Sequence, residues 1–296
     1  MSLEQVLFDD EPLEAPWIHG HRRGEPGDPL LQVRRVDVDT YVLRQSMSVT
    51  AEAPFMYLLM GSRRALLLDT GDSKDPADCP LRETVDHLLA ERDVDLVVAH
   101  SHGHYDHRRG DEQFTDRPRT RIVPIDAEGV QEFFGFAEWP SEVVEFDLGH
   151  RPLLITGAPG HDKRSIVVVD PSRQIMLSGD TLYPGRIYVQ DLVALQDTFA
   201  RMATLTRSHD ITRILGGHNE LAADKTDFPI KSRFHPDEHP LPLDEQSLRG
   251  ALSASHLAKG GVTRVAGGVH LWVGPCIGLR LAHARRLMRG RLRGTA

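Results

Sequence analysis

The chain has 296 residues, 40% hydrophobic and 26% charged, which excludes a disordered polymer and leaves enough apolar material for a substantial core. Its formal net charge of −8 offers no overall attraction to nucleic acid or an anionic membrane, so the expected partner is a small-molecule substrate, with oligomeric state left open. Cys79 and Cys276 are too few for a disulfide framework. There is no run of about 20 apolar residues to span a bilayer, and the acidic start lacks a signal-like stretch, so the expected address is cytoplasmic.

Residues 1–35, rich in proline, glycine and charge, are expected to form an N-terminal surface extension, and 36–296 a single domain ending in helices and a strand. Strand-like runs fall at 36–43, 55–60 and 64–69. A helix is predicted over 81–92, where Leu81, Val85, Leu88 and Leu89 recur at helical spacing, followed by a buried-type strand at 96–99. The aromatic run at 131–139, QEFFGFAEW, suits a lid, a dimer contact or a helix packed on the core. Further strands are expected at 121–125, 143–147, 153–156, 166–169 and 175–177. A long amphipathic helix over 191–207 carries Leu192, Leu195, Phe199 and Met202 on one face, and a short strand follows at 213–215. Helices are predicted at 245–258 and 278–289, with a strand at 262–273 whose Gly267–Gly268 pair suggests a bulge. The terminal arginines Arg285, Arg286, Arg289, Arg291 and Arg293 read as a solvated last helix turn.

The chemistry concentrates just past the strand at 96–99. The segment SHGHYDH, Ser101 to His107, packs His102, His104, Asp106 and His107 into six positions, and imidazole and carboxylate are the ligands that zinc and similar divalent ions prefer. Three later turns each place one more metal-competent side chain after a strand or glycine bend. They are His161 in PGHD, Asp180 in LSGD and His218 in GGHNE.

This pattern resembles the metallo-β-lactamase superfamily, whose signature is H-x-H-x-D-H followed by single His, Asp and His ligands in that order. The resemblance covers roughly residues 36–220 and includes Asp69 in LLLDTG. It implies an α/β fold, the four-layer αββα sandwich. It implies that His102, His104 and His161 bind one metal, that Asp106, His107 and His218 bind a second, and that Asp180 bridges them. Asp69 then anchors the motif loop, since metal-binding imidazoles need their outer N–H held. Family members commonly carry two glycines shortly after the last motif histidine. Here Arg108, Arg109, Gly110 and Asp111 follow, and the arginines either reach an anionic substrate or face solvent.

The resemblance further implies a hydrolase in which two divalent cations, zinc foremost with iron or manganese as alternatives, share a hydroxide that attacks a carbonyl. Asp106 is placed to orient that nucleophile and pass on its proton. Tyr183, three positions after Asp180, matches a tyrosine that some lactone-cleaving relatives use as an oxyanion donor; a purely structural tyrosine is the competing reading. A lactone or ester is the substrate class the sequence contradicts least. The alternatives are a glyoxalase II-like thioesterase or β-lactamase, and a mononuclear iron persulfide dioxygenase using His102, His161 and Asp180. The proline-rich segment 228–243, with His235, Glu238 and His239, reads as a cleft wall or a surface connector.

Overall fold

A computed structural model of the chain describes residues 3–22, 27–265 and 268–274. Cys276, the helix expected at 278–289 and the terminal arginines lie outside the described residues.

Seven strands form the first sheet in chain order: β1 (Val6–Asp9), β2 (Leu31–Asp37), β3 (Thr40–Gln45), β4 (Phe55–Met60), β5 (Arg64–Leu68), β6 (Asp95–Ala99) and β7 (Thr120–Ile122). Helix α1 (Leu81–Leu88) connects β5 to β6 and α2 (Ala127–Phe134) follows β7. The second sheet holds β8 (Val143–Asp147), β9 (Pro152–Gly157), β10 (Ile166–Asp170), β11 (Ile175–Gly179) and β13 (Arg213–Gly216), with β13 and β8 at its edges. A third, small sheet joins β12 (Gly185–Val189) to β15 (Val269–Val273) and β14 (Gly261–Val265). Helices α3 (Leu192–Ser208) and α4 (Glu245–Leu257) begin at Asp191 and Asp244, whose carboxylates accept from the Ala194 and Ser247 amides.

Side-chain alternation shows how the layers stack. Every residue of β4 is buried, yet Phe55, Tyr57 and Leu59 enter one apolar cluster while Met56, Leu58 and Met60 enter another. The first cluster lies between the two large sheets, where Ile155, Ile166, Val168 and Leu177 meet the β4 residues. The second packs the outer face of the first sheet against Leu81, Val85 and Leu89. On β10 the opposite set, Val167 and Val169, joins Leu195, Phe199 and Met202 of α3 and Leu248 and Ala251 of α4. Helix, sheet, sheet, helix is the four-layer order expected. Burial on both faces also explains why these strands read as continuous apolar runs.

Two segments differ from expectation. The first 35 residues are woven into the sheet in part: β1 pairs parallel to β2, and Leu13, Trp17 and Ile18 are buried. Arg34, itself buried, donates to Asp9 and to the carbonyls of Pro12, Ala15 and Pro16, and stacks 4.1 Å over Trp17. Such anchors are single residues among prolines and charges, so no periodicity announces them. Where one bulged strand was expected over 262–273, β14 and β15 are two separate strands paired antiparallel, and Gly268 has a positive φ of 83°. The aromatic run 131–139 packs on the core. Phe133, Phe134, Phe136 and Trp139 all join the central cluster, and α2 ends at Gly135 in the left-handed conformation.

Candidate metal centre

Parallel pairing gathers the site. β5 runs parallel to β6, and β11 parallel to β13, so the C-terminal ends within each pair open in the same direction. Asp69 follows β5, His102 follows β6, Asp180 follows β11 and His218 follows β13, while His161 sits in the turn between β9 and β10. The single turn Tyr105–His107 adds Asp106 and His107. Gly217 passes so close to Asp180 Oδ1 and His107 that a Cβ would lie 2.6 Å and 2.8 Å from them, which accounts for the glycine before His218. Gly110 is needed for a similar reason, because a Cβ there would run into the Thr70 carbonyl.

All seven expected side chains converge, in two groups. In the first, His102 Nε2 and His161 Nε2 lie 2.9 Å and 3.0 Å from His104 Nδ1. In the second, His107 Nε2 and His218 Nε2 are 3.1 Å apart, with Asp106 Oδ2 3.6 Å and 3.3 Å from them. Asp180 divides itself between the groups. Its Oδ2 lies 3.8 Å from His102 and 3.6 Å from His161, and its Oδ1 lies 3.4 Å from both His107 and His218.

The outer partners fix which nitrogen points inward. His107 Nδ1 donates to Asp69 Oδ2 (2.8 Å), His161 Nδ1 to the Tyr188 carbonyl (2.8 Å) and His218 Nδ1 to the Glu52 carbonyl (2.9 Å). Ser101 Oγ donates to Asp69 Oδ2, which leaves it to accept from His102 Nδ1 at 3.1 Å. In their neutral forms all four rings therefore present an Nε2 lone pair to the centre. Lone pairs about 3 Å apart repel unless a proton or cation lies between them. Asp180 Oδ1 is buried without a hydrogen-bond partner, a costly state for a carboxylate oxygen. Facing lone pairs and an unsatisfied carboxylate oxygen make this donor set fit divalent cations. Three such groups can be drawn among the described residues: His102, His104 and His161; His102, His107 and Asp180; and Asp106, His107 and His218.

Asp69 ties the motif loop down. It takes a left-handed conformation (φ 69°), accepts from the Ser101 amide at 2.6 Å and from Ser101 Oγ at 2.8 Å, and holds His107 with the same carboxylate. The two groups differ electrostatically. Burial, reinforced by the neighbouring imidazoles, pushes the proton affinity of His102 well below the usual range, and His104 shifts the same way. For His107 burial acts downward too, but the carboxylates of Asp180, Asp69 and Asp106 outweigh it and raise the ring to about 9. His218 rises for the same reason, against its burial, through Asp180 and Asp106. Burial opposes ionisation of Asp106, but His107 and His218 hold its carboxyl far below the usual carboxylate range.

Tyr183 packs edge-on against His218 with ring centroids 5.6 Å apart, and it lines the cleft above the centre. Its hydroxyl, however, donates to the Arg186 carbonyl at 2.6 Å and lies 3.1 Å from Glu220 Oε2, so the proton an oxyanion role requires is directed into the protein. Segment 228–243 does not line that cleft among the described residues. Its His235 stacks on Phe228 at 4.2 Å, and Glu238 makes a two-armed pair with the buried Arg44. Sequence reasoning passed over Asp162, directly after His161, whose Oδ2 is 3.8 Å from His104 Nε2 and which Arg164 holds. It also passed over Glu220, beside His218, whose carboxylate pairs with Arg186.

The cleft measures about 930 Å³, with His104, Asp106, His161, Asp180 and His218 in its floor. Fold and floor together define a metal-binding hydrolase of the metallo-β-lactamase type. Residues 49–240 match the family described as the metallo-beta-lactamase superfamily, and the chain belongs to it. Among curated relatives, the acyl-coenzyme A thioesterase MBLAC2 of Homo sapiens is 25% identical, the match covering 60% of this chain and 77% of that protein. Its Bos taurus counterpart is 26% identical over the same shares. Among solved structures, a metallo-beta-lactamase from Pontibacter korlensis superposes with a TM-score of 0.52 at 16% identity, over 77% of this chain and all (100%) of that one. One from Erythrobacter litoralis gives 0.51 at 13% identity, over 81% of this chain and 100% of that one. These structural likenesses establish the fold. No helix among the described residues is long and apolar enough to cross a membrane.

Proposed function

We propose that the chain hydrolyses a small thioester or ester at a two-cation centre. In this reading His102, His104 and His161 hold one cation, Asp106, His107 and His218 hold the other, and Asp180 spans both. One observation carries it: the Asp180 carboxylate turns one oxygen to each histidine group and leaves Oδ1 buried without a partner. Zinc suits this His and Asp set best, with iron and manganese as the alternatives. When bound, such cations acidify a water and polarise a carbonyl.

The chain's own groups do the rest. The outer acceptors on four histidines fix the tautomer that aims each Nε2 at the centre, and a bound cation would take the place of the proton that His107 and His218 otherwise carry there. Asp106 is ionised and lines the cleft, so its carboxylate can orient the attacking water and accept its proton. Tyr183 holds its wall through Arg186 and Glu220. The similarity to the human and bovine acyl-coenzyme A thioesterases favours a thioester over the lactone or simple ester that the sequence suggested.

The test is a metal count on the purified protein followed by turnover of a panel: an acyl thioester, an acyl-homoserine lactone, an aryl ester and a chromogenic β-lactam. Two equivalents of metal with preferred thioester or ester turnover are expected. One equivalent of iron with oxygen consumption on a persulfide would replace this reading.

A further inference from the structure

Of the two arginines that follow the last motif histidine, Arg109 lines the cleft. Glu52, Asp72, Asp106, Asp180 and Glu220 bring carboxylates to its lining, and Arg109 is the one arginine or lysine among the described lining residues. Its NH1 lies 3.2 Å from Asp72 Oδ1, and Asp72 is itself fixed by Thr50 Oγ1 at 2.6 Å. That contact holds one corner of the guanidinium; its other N–H groups meet no protein acceptor among the described residues, and the side chain is 54% exposed.

Tyr105 beside it is 65% exposed, unusual for an aromatic ring unless it meets something. Two guanidinium groups lie near the ring, Arg108 at 4.4 Å and Arg109 at 5.7 Å from its centroid. Arg108 is anchored below through Nε, which donates to the Gly103 carbonyl at 3.0 Å. Two neighbouring cations repel, and contact with the ring's π-face offsets part of that cost. A preorganised guanidinium fork next to a π-face is a receptor for planar or tetrahedral oxyanions.

We propose that Arg109 and Tyr105 form a substrate subsite for an anionic group, carboxylate or phosphate, with Arg108 positioning the ring. The subsite rests on the thioester or ester reading for the reaction it serves, though not for its ability to bind. It makes the enzyme prefer substrates that carry such a group over neutral ones of the same acyl chain.

The experiment compares the metal-loaded protein with Arg109→Gln, Arg109→Lys and Tyr105→Leu. Arg109→Gln keeps an amide for Asp72 but removes the charge. The substrates are S-butyryl-coenzyme A, S-butyryl-glutathione and the neutral S-butyryl-N-acetylcysteamine. For Arg109→Gln, KM should rise about tenfold on one or both charged thioesters, the scale of one charge-assisted hydrogen bond, with kcat little changed and the neutral thioester unaffected. Arg109→Lys should restore part of the loss and Tyr105→Leu should show a smaller rise. Which charged substrate responds separates phosphate from carboxylate.

Calorimetry with the matching S-butyl thioethers, which cannot be hydrolysed, separates the subsite from the chemistry. If no thioester turns over but thioether binding still depends on Arg109, the hydrolytic reading fails and the subsite stands. If turnover is brisk but Arg109→Gln treats charged and neutral substrates alike, the subsite is overturned. It is equally overturned if the wild-type protein binds neither charged thioether more tightly than the neutral one.

Discussion

The two histidine groups that share Asp180 are built from the same residue types and prepared in opposite ways. His102, His104 and His161 crowd together on one side, and burial with mutual repulsion leaves His102 and His104 reluctant to take protons. Asp180 and Asp106 raise both His107 and His218 despite their burial, and Asp69 adds to the effect at His107. His102 and His104 are thus held toward their neutral, cation-ready forms. In the second, protons on His107 and His218 balance the carboxylates, and a cation bound there, as proposed, would displace them. A shared ligand set can therefore hold two sites of unequal proton linkage without any change of residue chemistry.

The largest effect should come from the residue common to both. Asp180→Ala is expected to empty both groups and to lower turnover by more than the roughly 10–100-fold that loss of an outer partner costs. Metal analysis checks it, and two retained equivalents would mean Asp180 does not span the groups. His102→Ala and His107→Ala should each cost turnover and leave one equivalent, from opposite groups. Asp69→Asn comes next. It weakens the hold on His107 and the Ser101 amide while leaving all seven proposed ligands in place, so second-site affinity should fall by about 10–100-fold with first-site affinity less affected. Equal weakening of both sites would erase the distinction between them.

Proton linkage sharpens the comparison further. In the metal-stripped protein His107 is raised from 6.5 to about 9. Its contribution to stability is therefore fully present below about pH 6.5 and is lost as pH rises through about 9. His102 runs the other way: its neutral form is favoured on folding, so its contribution holds above about pH 6.5 and is lost on acidification. Denaturant midpoints of stripped protein should fall between pH 6.5 and 9, and loaded protein should resist that fall. Below pH 9, binding of the second cation should release protons, read by calorimetry in buffers of different ionisation enthalpy. Proton release shared evenly between the two binding steps would contradict the unequal preparation argued above.

The convergence of seven polar side chains was legible because each is a chemically distinctive residue at a strand end or tight turn. Strand ends can be read from apolar runs such as LLLDTG and IMLSGD. The layers were legible for the same reason, since strands covered on both faces are unbroken runs of Val, Ile and Leu. What orients the rings was much less so. The carbonyls of Tyr188 and Glu52 hold His161 and His218, and a backbone acceptor carries no sequence signature. Strand β12, which brings Tyr188 into place, pairs with β15 from more than seventy residues further along, a contact that local pattern cannot show. The chain reversal between β14 and β15 was hidden because two short apolar strands around glycine read like one bulged strand. Asp162 and Glu220 lay in view beside their histidines, and only the fold distinguishes such neighbours from solvated carboxylates.

Tyr183 gives the smallest predicted effect and the sharpest test of how far family resemblance carries. Its hydroxyl donates to the Arg186 carbonyl from a fully enclosed position, and that same residue's guanidinium neutralises Glu220. Tyr183→Phe removes one buried hydrogen bond and leaves the ring against His218, so stability should drop by about 1 kcal/mol. The rate constant should change by only a few-fold. Loss of an oxyanion donor would instead cost about 10²-fold or more in kcat. A loss of that size at unchanged stability and metal content would require the phenol to leave Arg186 and turn toward substrate during turnover. It would also return this tyrosine to the role that its spacing from Asp180 first suggested.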